Sequence, residues 1–115
     1  MSPRSPRRTR ARRPQPPVLF AALGDRTRLA LVGKLSSGQA ASIAQLTAGS
    51  RLTRQAIAKH LGVLRHAGVV HSTRAGREQL FVLDPRPMHE MQHYLERVSH
   101  QWDQALARLK ASVEE

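Results

Sequence analysis

Apolar and polar positions follow a helical rhythm along most of the chain, broken once by a stretch that alternates. Val18-Leu19-Phe20-Ala21-Ala22-Leu23 predicts a short apolar helix stopped at Gly24. Asp25 is placed to cap a second helix, Arg26 to Leu35, with Leu29, Val32 and Leu35 as its inward stripe and an end near Ser36-Ser37-Gly38. Ser42 followed by Gln45 has the spacing of a capping box and opens a third helix with Ile43 and Leu46 inward. After a turn at Gly49-Ser50-Arg51, Thr53 caps a longer helix in which Ile57, Leu61 and Leu64 recur at i, i+4 and i+7, and which stops at Ala67-Gly68. The pattern then reads as strands, with Val69 to Arg74 and Arg77 to Leu83 joined by Ala75-Gly76. Asp84-Pro85-Arg86-Pro87 ends the sheet, and a long helix runs from Met88 to about Val113. Its apolar stripe is Met91, Leu95, Val98, Trp102, Leu106 and Leu109, more than a core of this size can cover, so part of it is expected to pack against a second copy.

These elements predict a mainly α fold with a small β-hairpin wing. A short helix, a tight turn, a cationic helix and a basic hairpin form the winged helix-turn-helix geometry that reads DNA. On the longer helix of the motif, the face opposite Ile57, Leu61 and Leu64 carries Gln55, Lys59, Gly62 and His66, with Arg54 and Ala58 on its edges. Thr53 as cap puts Arg54, Gln55 and Lys59 near the helix start, where recognition helices reach base edges, and Gln55 suits adenine. Arg74 and Arg77 flank the hairpin tip and suit backbone phosphates, and Ser42 at an amide-rich helix end can hold another. Glycine is costly inside a helix, so Gly62 suggests that something approaches closely there.

Charge sharpens the picture. The chain has 115 residues, enough for one domain with a tail, and 19 Lys/Arg against 8 acids give a net charge of +11. Residues 1–17 hold six arginines and no acid, and their Arg, Pro and Ser content predicts a disordered arm. Such an arm either contacts phosphate or a minor groove, or is a solvated extension. Residues 18–80 hold nine Lys/Arg against Asp25 and Glu78, whereas residues 84–115 hold four against six acids. The positive field therefore sits on the first two-thirds of the chain, leaving the last helix for another task. With no cysteine, disulfides, zinc ribbons and thiolate sensing are excluded. No apolar run is long enough to span a membrane, and the basic N-terminus lacks the apolar segment of a secretory signal, so a cytoplasmic location is expected. No Gly-x-Ser-x-Gly turn or phosphate loop occurs, so neither enzyme activity nor a cofactor is expected.

The chain resembles the ArsR-type winged-helix transcriptional regulators over residues 18–110. The likeness rests on Leu23-Gly24-Asp25-Arg26-Thr27-Arg28-Leu29, on Ala56-Ile57-Ala58-Lys59-His60-Leu61-Gly62-Val63-Leu64-Arg65-His66-Ala67-Gly68-Val69-Val70, and on Arg74-Ala75-Gly76-Arg77 with Phe81-Val82-Leu83-Asp84-Pro85. It implies a homodimer built through the first and last helices, binding an operator palindrome in double-stranded DNA and repressing transcription. It also implies packing or a phosphate contact for His60. Most relatives carry Ser at position 58 and Pro at position 55, where this chain has Ala58 and Gln55, so its operator need not match theirs. The metal-sensing branch has cysteines in the first helix of the motif, whereas this chain has Ile43-Ala44-Gln45-Leu46-Thr47 and is similar to the branch without them.

Two other readings stay in view. His89, His93, Glu96 and His100 fall at i, i+4, i+7 and i+11 on the last helix, and imidazole with carboxylate suits zinc, nickel or cobalt. A metal-responsive repressor could use them, although any solvated helix face carries polar residues of this kind. A small basic RNA-binding protein would need exposed aromatics for base stacking, yet of Phe20, Phe81, Tyr94 and Trp102 most are expected at core positions. His66 and His71 read as surface residues.

Overall fold

The structure, a computed structural model, describes residues 15–114. Most of the basic arm expected over residues 1–17 lies outside them. Its last three residues are described: Gln15 is the N-cap of α1, Pro16–Leu23, with Pro16 and Pro17 in the first turn. Proline suits that place, because its fixed φ is helical and its missing N–H would have had no partner. Among the described residues five helices and a three-stranded sheet follow one another as α1, α2 (Arg26–Leu35), β1 (Ala41–Ser42), α3 (Ile43–Thr47), α4 (Arg54–His66), β2 (Val70–Ala75), β3 (Glu78–Leu83) and α5 (Pro85–Glu114).

Side-chain caps fix the starts of α2, α3 and α4. Asp25 accepts the Arg28 backbone N–H at 3.0 Å to begin α2. Ser42 and Gln45 form the reciprocal capping box of α3, and Thr53 Oγ1 accepts the Ala56 N–H at 3.1 Å to begin α4. Helix α4 ends at Gly68, whose φ of +83° is the left-handed turn that closes a helix, and the Val69 N–H returns to the Leu64 carbonyl at 2.9 Å.

The core gathers Leu19, Leu31, Leu35, Leu46, Ile57, Leu61, Leu64, Val69, Val70 and Phe81, with Met91 added by α5 and Ala41 of β1 packed against it. One expected stripe is corrected. Leu29 is 56% exposed, and Leu31 takes the inward place beside Val32 and Leu35. Positions 28, 31, 32 and 35 share a helix face, and Arg28 occupies its first turn. The sheet runs β1-β3-β2, all antiparallel, with Ala41 opposite Phe81 and Ser72 opposite Phe81 on the other side. Strand β1 was not expected: two residues are too short to show alternation.

Helix α5 begins at Pro85, three residues before the expected start, and spans 30 residues. Pro87 and Met91 are its buried residues, while Leu95, Val98, Trp102, Leu106, Leu109 and Val113 are exposed, Trp102 by 62%. The expected core positions for most aromatics are also corrected. Phe81 is buried, Phe20 and Tyr94 lean on each other with ring centroids 5.7 Å apart, and Trp102 lies open. No described helix is long and apolar enough to cross a membrane.

Candidate nucleic-acid interface

Helix α4 buries Ile57, Leu61 and Leu64, so the opposite side is turned outward. Arg54, Gln55 and Lys59 are exposed on its first two turns, Thr53 is exposed just before them, and Ala58 is half-buried at the edge. No acid lies within α4, so the positive end of its dipole and its cations act together on an approaching anion. The hairpin turn is Gly76-Arg77 and not the expected Ala75-Gly76, because Ala75 still pairs with Glu78; Arg74 is exposed near the end of β2, Arg77 is exposed in the turn itself, and Gly76 turns the chain with a φ of +65°. Arg51, exposed in the turn before α4, is a further cation next to the start of that helix.

Two of the expected DNA contacts, Ser42 and His60, also have partners within the chain. Ser42 is only 5% exposed, and its hydroxyl accepts the Gln45 N–H at 3.1 Å while its own N–H donates to Gln45 Oε1 at 2.9 Å. The capping box thus engages the Ser42 hydroxyl as an acceptor and its backbone N–H as a donor. His60 is half-buried with Nδ1 turned to the α1–α2 corner, 3.3 Å from Arg28 Nη1 and 3.7 Å from Asp25 Oδ2. Its ring is thus tied by polar contacts to the α1–α2 corner. Asp25's carboxyl is held below the usual carboxylate range, first by the Arg28 backbone N–H and then, against some desolvation, by His60 and Arg28.

Gly62 borders an open groove of about 600 Å³ between α1 and α4, lined by Val18, Ala21 and Val63 together with Lys59 and His66. A Cβ added at Gly62 would meet nothing within 4 Å, so this chain's own packing does not require the glycine. The wing is tied back at its base: Asp84, 5% exposed, pairs with His71 of β2 and takes both the Arg86 backbone N–H at 2.9 Å and the Arg86 guanidinium at 2.7 Å. His71, expected as a plain surface residue, is therefore a partner of a buried carboxylate. Asp84 was legible only as the end of a strand, since nothing in Asp-Pro-x-Pro declares its burial.

The His/Glu stripe of α5 is exposed throughout, at His89, His93, Glu96 and His100. Among the described residues no three His, Asp or Glu side chains come together in a group able to hold a metal. The four span eleven residues of helix, roughly 16 Å at 1.5 Å per residue, too far to converge on one ion.

The comparisons with known proteins agree with this geometry. Residues 23–73 match a helix-turn-helix domain family. The chain is 38% identical over 77 residues to an uncharacterized HTH-type transcriptional regulator of Bacillus subtilis, YuzN, covering 62% of this chain and 84% of that protein. It is 33% identical over 91 residues to an HTH-type transcriptional regulator of Mycobacterium tuberculosis, covering 79% of this chain and 81% of that one. Among solved structures, an ArsR-like transcriptional regulator from Rhodococcus superposes with a TM-score of 0.70 at 35% identity, covering 83% of this chain and 89% of the other. With the fold, the capped recognition helix and these relatives in agreement, the chain belongs to the ArsR family of winged helix-turn-helix transcriptional regulators.

Proposed function

We propose that the protein is a homodimeric repressor that binds an operator palindrome in double-stranded DNA. The observation that carries this reading is the division of the surface. Cations stand exposed on α4 and the hairpin tip, while a separate helix, α5, carries an uncovered apolar stripe from Leu95 to Val113. In the bound state Arg54, Gln55, Ala58 and Lys59 enter the major groove, with Gln55 reading an adenine through its amide. Thr53 starts the helix at the groove edge, and Arg74 and Arg77 hold the flanking backbone. The α5 stripe pairs with that of a second copy and sets two recognition helices about one turn of DNA apart. Repression follows if the operator overlaps a promoter, and no catalytic role is assigned.

Selection of sites from random duplexes tests the reading. A recovered palindrome with half-sites about 10 base pairs apart supports it. Recovery of no duplex, or tighter binding of structured RNA, overturns it. The metal-responsive alternative is checked by zinc titration of the DNA complex: it needs an ion bound across two α5 helices, and operator release on zinc addition would establish it.

A further inference from the structure

The packing that anchors the wing stops short of its arginines. On β2 Val70 is fully buried, Ser72 is half-buried, and His71, Thr73 and Arg74 are exposed. On β3 the last core side chain towards the tip is Phe81, opposite Ser72. Strand β2 is also an edge strand, since the sheet runs β1-β3-β2. Past the core, its direction depends on the ladder to β3 and on side chains from outside the hairpin. Arg65 of α4 donates from Nη1 to Ser72 Oγ at 3.4 Å, and Asp84 takes His71.

Asp84 stands where β3 gives way to α5, its own N–H on the Val69 carbonyl at 2.9 Å. Pro85 opens α5 without an N–H, so Arg86 carries the first free donor of the helix, and Asp84 Oδ1 accepts it at 2.9 Å. Oδ1 also takes Arg86 Nε at 3.1 Å, and Oδ2 takes Arg86 Nη2 at 2.7 Å. A carboxylate only accepts, so His71 Nε2 donates to the same Oδ2. One buried carboxylate thus caps the first turn of α5 and holds the edge strand of the wing. Arg74 lies three residues along the strand from His71, roughly 10 Å away, so a swing of ~6° at His71 displaces it by about 1 Å. That is enough to spoil a hydrogen bond to a fixed phosphate oxygen.

We propose that Asp84 is a positioning residue for DNA binding: by joining His71 to the first turn of α5 it sets the direction of the wing relative to that helix, and so where Arg74 and Arg77 meet the DNA backbone. The inference rests on the DNA-binding reading above. The start of α5 is complete with Arg86 alone, and His71 adds a tie to the wing. Removing His71 therefore frees the wing and leaves the helix cap in place, which separates the two roles of the carboxylate.

The test measures the affinity of the full chain for a selected duplex by fluorescence anisotropy across a salt series, at pH 8 throughout. Arg74→Ala with Arg77→Ala should lower the slope of log affinity against log salt by about 2, one for each phosphate contact. His71→Ala should bind about fivefold more weakly, because the ordering that one hydrogen bond supplied is left to the binding step, and should lower the same slope. His71→Gln, whose amide N–H can stand where Nε2 stands, should restore both. With Arg74 and Arg77 already replaced by Ala, His71→Ala should change nothing further. A His71→Ala variant with wild-type affinity and slope overturns the proposal. So does one whose loss is equally large without the two arginines, since that loss does not act through the wing. If His71→Ala does not fold, His71→Thr, a better strand former that cannot reach Oδ2, carries the same cycle, and the same two outcomes overturn it. A wild type that binds no duplex overturns this inference together with the functional reading. Duplex binding that is indifferent to His71 overturns the Asp84 role alone.

Discussion

At the scale of single residues, the surface separates side chains that would read bases from those that would only neutralise phosphate. Gln55→Ala should relax preference at one base position while leaving total affinity within a few-fold, measured by site selection before and after. Lys59→Ala should weaken all duplexes alike and lower the slope of log affinity against log salt by about 1. A sequence preference unchanged in Gln55→Ala would remove that residue from base reading. Asp84 invites a different experiment. The Arg86 guanidinium beside it holds its carboxyl far below the usual carboxylate range, with help from the Arg86 N–H and His71 and against burial. A carboxyl lowered by folding stabilises above its unfolded value of about 4, and that contribution is lost as pH falls through the folded value. Thermal melts should therefore show wild type losing stability below about pH 4, and Asp84→Asn destabilised by about 1–3 kcal/mol at neutral pH with a flatter acid limb. These side chains differed in how readable they were. Asp25, Ser42 and Thr53 declared themselves, because a cap needs only its own residue type and a helix after it. Arg28, His60 and Asp84 act across distance, through partners up to 32 positions away, and no local pattern announces that.

At the scale of elements, periodicity was sufficient where an element alternated between core and solvent, and insufficient where a polar residue or proline stood in the inward path. Helix α4 announced its buried face through Ile57, Leu61 and Leu64. Helix α2 did not, because Arg28 holds the first turn of its inner side and leaves Leu31 without the apolar neighbour that would have marked the stripe. The start of α5 was hidden by Pro85 and Pro87, which read as breakers although a first turn tolerates them. Glycines give the cleanest test at this scale. Gly68 adopts a φ of +83° at the end of α4, so Gly68→Ala should cost about 1 kcal/mol in chemical denaturation. Gly62 lies mid-helix facing open space, so Gly62→Ala should stabilise the fold by roughly 0.5–1 kcal/mol. If DNA or a second copy approaches α4 there, the same variant will bind duplex less well despite melting higher, and equal binding would show that the site stands clear of any partner.

At the scale of the whole molecule, α5 leaves an apolar stripe that one chain does not cover. Trp102→Glu or Leu106→Glu should shift sedimentation equilibrium towards monomer, make the melting temperature independent of protein concentration and lower operator affinity at least tenfold. A wild type that sediments as a monomer at all concentrations would remove the dimer from the account. The sequence indicated that this helix exceeds the core, since its stripe runs on after the remaining apolar residues are used up. It could not indicate how the head is assembled, because that depends on β1. Ala41 and Ser42 pair with Phe81 and Leu80, and Ser42 is also the residue from which α3 starts. Hairpin and helix pair are thereby joined by one short bridge. In the proposed complex that bridge makes the wing and α3 move together on the DNA, so a substitution that breaks the pairing at Ser42 should loosen the grip of Arg74 and Arg77 on the flanking backbone.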